Sequence, residues 1–159
     1  MGKRSGDIDQ TIIQIINEKE KKEIQQIIDI LNKKSGLYGI CNESDMRNIY
    51  KNSKRNKNCQ LAIDMFTNRL LNYIGAYKAQ LKDIDAIVFS GGIGEGAWYI
   101  REKIANQLGI SIDHNKNNAG IGIISKESKT KLIVIPSNEE LMIARETYPI
   151  IKNNRISFK

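Results

Sequence analysis

A glycine-rich turn, Gly91–Gly96 with the sequence GGIGEG, constrains the fold of this chain more than any other segment. It follows the short apolar run Ala86–Phe89 and precedes a segment whose apolar residues have helical spacing. Glycines let a backbone turn sharply and approach a ligand closely, and the following helix offers unpaired N–H groups at the positive end of its dipole. The segment therefore predicts a strand–turn–helix unit of an α/β fold, with a phosphate as the natural ligand.

The same window supports two other interpretations. It satisfies the dinucleotide fingerprint G-x-G-x-x-G/A, and Asp113 lies at about the expected distance of ~20 residues downstream. A Rossmann-type dinucleotide-binding protein is therefore an alternative. Against it, a long and mainly helical segment precedes the turn, whereas this fingerprint usually lies in the first βαβ unit. A tight turn without a ligand is the third interpretation, and the glycines alone leave it open.

Hydrophobic periodicity predicts the elements around the turn. We expect one helix over residues 10–34 and another over residues 58–81. Large apolar side chains at helical spacing in the second helix are expected to form a core stripe; they are Leu61, Met65, Phe66, Leu70, Tyr73, Tyr77 and Leu81. The expected strands are Ala86–Phe89, covered on both faces, a buried strand at 132–135, and short strands at 110–113 and 121–124. Strands alternating with helices indicate a sheet covered by helices.

Acidic residues follow the strand predicted at 132–135. Ser137 and Glu140 have the spacing of a capping box, with Ser at the N-cap and Glu at the third helical position. This spacing gives Glu140 a structural role and leaves Glu139 without one. A carboxylate at such a strand end could hold Mg²⁺ directly or through water. A carboxylate that only complements the helix dipole is the alternative.

Composition excludes several classes of protein. The net charge is +7, from 25 basic and 18 acidic residues, but the basic residues are interspersed with acidic ones. This dispersion is typical of solvated helix faces, and we expect no nucleic-acid partner.

No apolar run approaches the ~20 residues of a membrane span, and no secretory signal is present, so we expect a cytoplasmic protein. Cys41 and Cys59 are expected to be free thiols, and with a single His in the chain we expect no zinc site.

Six segments in the same order resemble acetate kinases, of the acetate and sugar kinase/Hsc70/actin superfamily. They are MGKRSGDID, SGLYGI, SDMR, DMFTNRLLNYIGAY, IVFSGGIGE and VIPSNEELMIARET. The resemblance implies an α/β C-terminal lobe of an actin-like ATPase (ribonuclease H-like) fold, with residues 1–159 forming a single nucleotide-binding lobe. It also reduces the weight of the Rossmann interpretation.

The resemblance implies an activity and a set of site residues that spacing alone does not. Acetate kinases transfer the γ-phosphoryl group of ATP to acetate, reversibly, giving ADP and acetyl phosphate. By matching position, Arg4 stabilises the transferring phosphoryl group, a role that suits a planar and permanently charged donor. The other matched residues are Asp45, Met46 and Arg47 in a nucleotide-contacting segment, Gly92, Ile93, Gly94, Glu95 and Gly96 in the adenosine loop, and Glu139, which is associated with Mg²⁺.

The chain also departs from the family pattern. Lys3, Gln10 and Cys41 replace a Thr, a Pro and a Ser of the family motifs, and Gly96 replaces an Asn of the adenosine loop. Losing that amide removes a hydrogen-bonding group from the loop. His114 matches no catalytic position of the family.

The matched segments lie in the C-terminal part of the family, whereas its catalytic aspartate and histidine lie in an N-terminal part. We therefore expect the isolated chain to be inactive and to need a complementary N-terminal half. The expected assembly is a homodimer. A stand-alone nucleotide-binding module and a non-functional fragment are the alternatives, and propionate or butyrate remains open as the substrate.

Overall fold

The computed structural model describes residues 1–154, which form two compact units. In chain order the elements are α1 (Thr11–Glu20), α2 (Ile24–Lys33), α3 (Gly36–Cys41), α4 (Met46–Ser53), α5 (Lys57–Leu81), β1 (Ala86–Phe89), α6 (Gly91–Gly96), α7 (Trp98–Gln107), α8 (His114–Ala119), β2 (Gly122–Ile123), β3 (Lys131–Val134) and α9 (Glu139–Asn154). The first unit comprises Met1–Ile84 and Tyr99–Gly109 and is helical. The second comprises Asp85–Trp98 and residues 110–154, and it holds the strands.

The helix expected over residues 10–34 is two helices, so that prediction is wrong. Lys21 has a left-handed φ of 50° and ends α1. Glu23 then begins α2 with a capping box, in which its side chain accepts from the Gln26 backbone and the Gln26 side chain accepts from the Glu23 N–H. Apolar residues lie on both sides of the break, Ile12, Ile13 and Ile16 in α1 and Ile24, Ile27 and Ile28 in α2. Periodicity alone therefore did not reveal the interruption.

The long helix α5 has nearly the predicted bounds but buries a different face. Its buried residues are Cys59, Ala62, Ile63 and Thr67, on the face where α5 packs against α3 and α4. The predicted core stripe is wrong, since most of its side chains are exposed: Leu61, Met65, Tyr73, Tyr77 and Leu81. Three of the four buried residues, Cys59, Ala62 and Thr67, have small side chains, and the distance between packed helices depends on the side chains at their contact.

The second unit contains a small mixed sheet in the order β1-β3-β2. β1 and β3 are parallel with Ala86 opposite Lys131 and Phe89 opposite Val134, and β2 pairs with β3 antiparallel. The buried strand expected at 132–135 is confirmed in part: Leu132 and Val134 are buried, but β3 ends at Val134 and the Ile135 side chain is exposed. The prediction that β1 is covered on both faces is wrong, because the Val88 side chain is 52% exposed.

The two short strands that the sequence predicts are realised only in part. The segment 121–124 contains β2, which is two residues long. The segment 110–113 forms no strand and contributes a single bridge between Ile112 and Ser125. Both segments nevertheless place one buried apolar residue in this unit, Ile112 and Ile124.

Composition also predicts free cysteines and no membrane-spanning segment. Cys41 and Cys59 are free and buried, as predicted, and burial raises the pKa of the Cys59 thiol. Among residues 1–154, no helix is both long and apolar enough to cross a membrane.

Candidate functional site

The first six residues form a strap that backbone hydrogen bonds fasten to α2 and α3. The Ser5 N–H donates to the Leu31 carbonyl at 2.8 Å, while the Leu37 and Tyr38 N–H groups donate to the Met1 and Gly2 carbonyls at 3.1 and 2.9 Å. These last two bonds satisfy N–H groups in the first turn of α3, which have no partner within the helix.

Gly36 is required where the strap crosses the start of α3. Its φ is +60°, and a Cβ at this position would lie 2.5 Å from the Met1 carbonyl oxygen and 2.7 Å from that of Arg4. Both the conformation and the space exclude a side chain. The strap that carries Arg4 can therefore reach its observed position only against a glycine.

Arg4 lies at a cavity of about 330 Å³ in the first unit. Its side chain is exposed, and no hydrogen bond or ion pair joins its guanidinium to another of the residues that the structure describes. The cavity wall is apolar where α3 and α5 contribute Leu37, Ile40, Met65, Phe66 and Leu70. Part of the exposed stripe of α5 thus lines a cavity beside Arg4. Because the Arg4 guanidinium is exposed and has no partner among the described residues, it is available to an anionic ligand.

The same cavity is lined by a network of Asp7, Arg69 and Tyr73. The sequence did not predict this network. The Asp7 carboxylate accepts a hydrogen bond from the Tyr73 hydroxyl at 2.6 Å and forms an ion pair with Arg69. The Tyr73 hydrogen bond, and then the Arg69 charge, lower the pKa of Asp7. Arg69 and Tyr73 share a helix face at i, i+4 spacing, but nothing in the local sequence connects them to Asp7.

Asp45 and Arg47 are paired with each other at the start of α4. Asp45 is the N-cap, and its Oδ1 accepts from the Arg47 backbone N–H at 2.8 Å. The Arg47 guanidinium also donates to both carboxylate oxygens, with Nη2 to Oδ2 at 2.6 Å. These hydrogen bonds from Arg47 lower the pKa of Asp45 to about 2. The Arg47 side chain is 83% exposed and remains accessible to a ligand.

Met46 lies between these two residues but points into the first unit. Its side chain is buried, and its carbonyl accepts a hydrogen bond from the Tyr99 hydroxyl at 2.8 Å. Tyr99 stacks on Tyr50 with ring centroids 3.7 Å apart, and burial raises the pKa of Tyr99 to about 12. Met46 therefore anchors the segment that presents Asp45 and Arg47.

The glycine-rich turn is itself the short helix α6, immediately after β1. Gly91 has a φ of +72°, which favours glycine, and a Cβ on Gly94 would lie 3.2 Å from the Phe89 backbone. Gly92 and Gly96 instead face open space, with nothing within 4 Å of an added Cβ. Gly91 and Gly94 are thus explained by the turn and by packing, whereas Gly92 and Gly96 leave room for a ligand.

Glu95 contacts a residue 42 positions later in the chain. Its Oε1 accepts from the Ser137 N–H at 2.9 Å and from the Ser137 hydroxyl at 3.1 Å. The Ser137 backbone hydrogen bond is the main reason that the pKa of Glu95 is lowered. This contact brings the glycine-rich turn and the start of α9 together within the second unit.

The capping box predicted for Ser137 and Glu140 is wrong. Asn138 is the capping residue, because its Oδ1 accepts from the Leu141 N–H at 3.1 Å. Glu139 becomes the first residue of α9; its side chain is exposed, and its carboxylate has no hydrogen bond or ion pair with another residue in the range 1–154. Ser137 is free of the helix cap and serves Glu95 instead.

Glu139 is the residue that the family resemblance associates with Mg²⁺. Among residues 1–154, no three His, Cys, Asp or Glu side chains lie close enough together to hold a metal ion by themselves. The exposed carboxylate of Glu139 fits a hydrated Mg²⁺, which commonly takes one or two carboxylates together with waters and substrate phosphates.

Asp113 is the residue that the dinucleotide-binding alternative would direct at a ribose. In the structure, Asp113 caps α8 by accepting hydrogen bonds from the Asn115 and Lys116 N–H groups.

The candidate residues are distributed over both units. Arg4, Asp45, Met46 and Arg47 belong to the first unit, whereas the glycine-rich turn and Glu139 belong to the second. Within each unit the structure brings separate motifs together, Arg4 with the Asp7 network in one and Glu95 with Ser137 in the other.

Comparison with known sequences gives one consistent result. A sequence profile described as the Acetokinase family matches residues 1–145. The acetate kinase of Halothermothrix orenii is 45% identical over 161 residues, which cover 96% of this chain and 40% of that protein. The acetate kinase of Borrelia recurrentis is 47% identical over 167 residues, which cover 97% of this chain and 41% of that protein. The chain thus spans about two fifths of the length of these curated relatives.

Solved structures give the same match. A propionate kinase from Francisella tularensis superposes with a TM-score of 0.85 at 40% identity, covering 92% of this chain and 39% of that one. The Porphyromonas gingivalis acetate kinase superposes with a TM-score of 0.84 at 39% identity, covering 95% of this chain and 40% of that one.

Proposed function

Because this chain belongs to the acetokinase family, we propose that it carries the nucleotide side of an acetate-kinase-like phosphotransferase site. The observation that carries the proposal is the extent of the family match, which runs over residues 1–145 and includes every candidate site residue. The reaction is the reversible transfer of the γ-phosphoryl group of ATP to a short carboxylic acid. The acetate and propionate kinases among its relatives support acetate or propionate as the acceptor.

Arg4 is the residue proposed to act on the transferring group. Phosphoryl transfer spreads charge over the equatorial oxygens, and catalysis consists mainly of positioning and charge neutralisation. A guanidinium offers several donors in a fixed plane and stays charged at all working pH values. Arg4 suits this role because its guanidinium is exposed at a cavity and has no partner among residues 1–154.

Two segments carry the proposed nucleotide contacts, the start of α4 and the turn 92–96. The open space beside Gly92 and Gly96 suits the close approach of a nucleotide to the turn 92–96. Asp45 fixes the backbone of Arg47 at the start of α4, while the guanidinium of Arg47 stays exposed. Gly96 lacks the amide of the family's Asn, so we expect weaker nucleotide affinity than in the relatives.

Glu139 is the proposed partner of Mg²⁺. It would hold the ion through its carboxylate, directly or through water, while nucleotide phosphates supply further oxygen ligands. When bound, Mg²⁺ would neutralise phosphate charge. The first turn of α9 places Glu139 at a position where a negative side chain is also favoured by the helix dipole.

The 159-residue chain alone is proposed to be inactive. Its relatives are about two and a half times as long, since it spans about 40% of them. We propose that turnover needs the residues that the relatives have in addition, supplied by a complementary N-terminal half. A homodimer in the cytoplasm is the proposed assembled form. A nucleotide-binding module without turnover is the alternative.

Two measurements test this proposal on the isolated chain. Isothermal titration calorimetry with Mg·ADP should detect binding, and a coupled assay with Mg·ATP and acetate should detect no acetyl phosphate. Absence of ADP binding would contradict the nucleotide site. Robust acetyl phosphate formation would contradict the proposed need for a complementary half.

A further inference from the structure

The carboxylate of Glu95 is engaged by the protein itself. Both donors of Ser137 converge on Oε1 of Glu95, the N–H at 2.9 Å and the hydroxyl at 3.1 Å. The Gly91 backbone N–H, in the same turn as Glu95, contributes to lowering the pKa of this carboxyl. Glu95 thus joins two segments of the second unit that lie 42 residues apart in the chain.

The position of Ser137 in the chain gives this contact its consequence. Ser137 directly precedes Asn138, whose side chain caps α9 by accepting from the Leu141 N–H at 3.1 Å. Glu139 follows as the first helical residue. With Ser137 held by Glu95 and the helix start held by Asn138, the backbone of Glu139 is fixed from both sides.

We propose that Glu95 is a positioning residue that fastens the glycine-rich turn to the start of α9 and thereby fixes where Glu139 lies relative to the turn. The inference rests on the proposed function for the roles of the turn and of Glu139. It differs from the role that the family resemblance implies, in which Glu95 belongs to the segment contacting the nucleotide. Here the carboxylate is engaged by Ser137 of the same unit.

The chemistry of the contact explains why an acidic residue serves this purpose. Hydrogen bonds to an ionised carboxylate are about twice as strong as those between neutral groups. A glutamine retains an acceptor oxygen at the same reach, whereas an alanine has none. Because the folded-state pKa of Glu95 is lowered, its stabilisation is present above the unfolded-state pKa and is lost as pH falls through the folded-state value.

Hydrogen exchange in the absence of ligand tests the contact directly. We expect Glu95→Ala to accelerate exchange of the Ser137 amide by about tenfold, and Glu95→Gln to accelerate it less. Glu146→Ala is the matched control, because it removes an exposed carboxylate from α9 itself and should leave the Ser137 amide unchanged. Equal Ser137 exchange rates in wild type and Glu95→Ala would overturn the proposal.

Calorimetry with ADP, with and without Mg²⁺, distinguishes positioning from direct contact. Glu95→Ala should lower the affinity for ADP more in the presence of Mg²⁺ than in its absence, with partial rescue by Glu95→Gln. An equal loss with and without Mg²⁺ would overturn the proposal, since it would indicate direct nucleotide contact by Glu95. If wild-type protein binds no ADP in either condition, the proposed function fails, and the exchange rates alone decide whether Glu95 fastens the two segments.

Discussion

At the residue scale, the candidate site depends on a few side chains whose partners can now be named. Arg4 and Glu139 have exposed charged groups without partners among residues 1–154, which suits residues that meet a ligand. Asp45 and Glu95, in contrast, have carboxylates engaged by neighbouring residues of the protein. The residues that match the family motifs thus fall into two groups, those available to a ligand and those that hold the site in place.

The ion pair of Asp45 with Arg47 predicts a pH-dependent stability. The pKa of Asp45 is lowered to about 2 from 3.8, so its stabilisation is complete above about pH 4 and is lost as pH falls toward 2. Asp45→Asn keeps an N-cap acceptor but loses the charge. We expect Asp45→Asn to lower Tm by roughly 1–3 °C near pH 7 and by less as pH falls from 4 to 2, measured by circular dichroism.

The control for this prediction is Asp29→Asn, which removes an exposed carboxylate paired with Lys33 within α2 and not at a cap. Its effect on Tm should be smaller than that of Asp45→Asn. A difference between wild type and Asp45→Asn that is the same at pH 2 and pH 7 would contradict the assignment.

Gly36 predicts a second effect at this scale. Gly36→Ala must place a Cβ in contact with the strap carbonyls at a φ of +60°, so we expect a loss of about 2 kcal/mol in the free energy of unfolding. Gly75→Ala is the matched control, because Gly75 lies within α5 with nothing within 4 Å of an added Cβ. That change should stabilise by roughly 0.5–1 kcal/mol. Urea unfolding measures both, and equal effects would refute the role of Gly36.

At the element scale, the helix starts show how a local signal can identify an element but misassign its cap. α9 begins at Glu139, the first of the two acidic residues at which the sequence predicts a helix start. Asn138 caps this helix, and Ser137 does not. The alternative was not distinguishable from spacing, because Ser, Asn and Asp are all good N-caps. The contact from Glu95 decides between the two candidates.

This assignment predicts the effect of removing the cap. Asn138→Ala should lower the local stability of α9 by about 1 kcal/mol, seen as faster amide exchange in its first turns. Asn118→Ala removes an exposed amide from α8 and should leave α9 unchanged. Unaltered α9 exchange in Asn138→Ala would show that another group caps the helix.

At the scale of the whole molecule, the family and the fold class are established. The sequence resemblance to acetate kinase is confirmed by the family match over residues 1–145. The α/β fold with a small sheet covered by helices is confirmed by TM-scores of 0.85 and 0.84 to a propionate kinase and an acetate kinase. The single nucleotide-binding lobe and the homodimer stay predictions.

Complementation gives the prediction that belongs to this scale. Mixing the chain with the N-terminal portion of a homologous acetate kinase should restore acetyl phosphate formation. Arg4→Ala should then reduce kcat by about a thousandfold, in line with losing a charged group at a transferring phosphoryl. Arg55→Ala, an exposed arginine in the segment between α4 and α5, is the control and should keep full activity. Full activity in Arg4→Ala would contradict the role of this arginine.

The sequence by itself determined the family, the fold class and the approximate position of most elements. These depend on local signals, such as the apolar period of α5 and the glycines of the turn, and on motifs that lie in a fixed order. Only the tertiary structure decided which face of α5 is buried and which side chains meet across the chain, as Asp7 meets Tyr73 and Glu95 meets Ser137. The reason is physical: periodicity shows that a helix has an apolar face, but the neighbours that pack against it decide which residues lose contact with water.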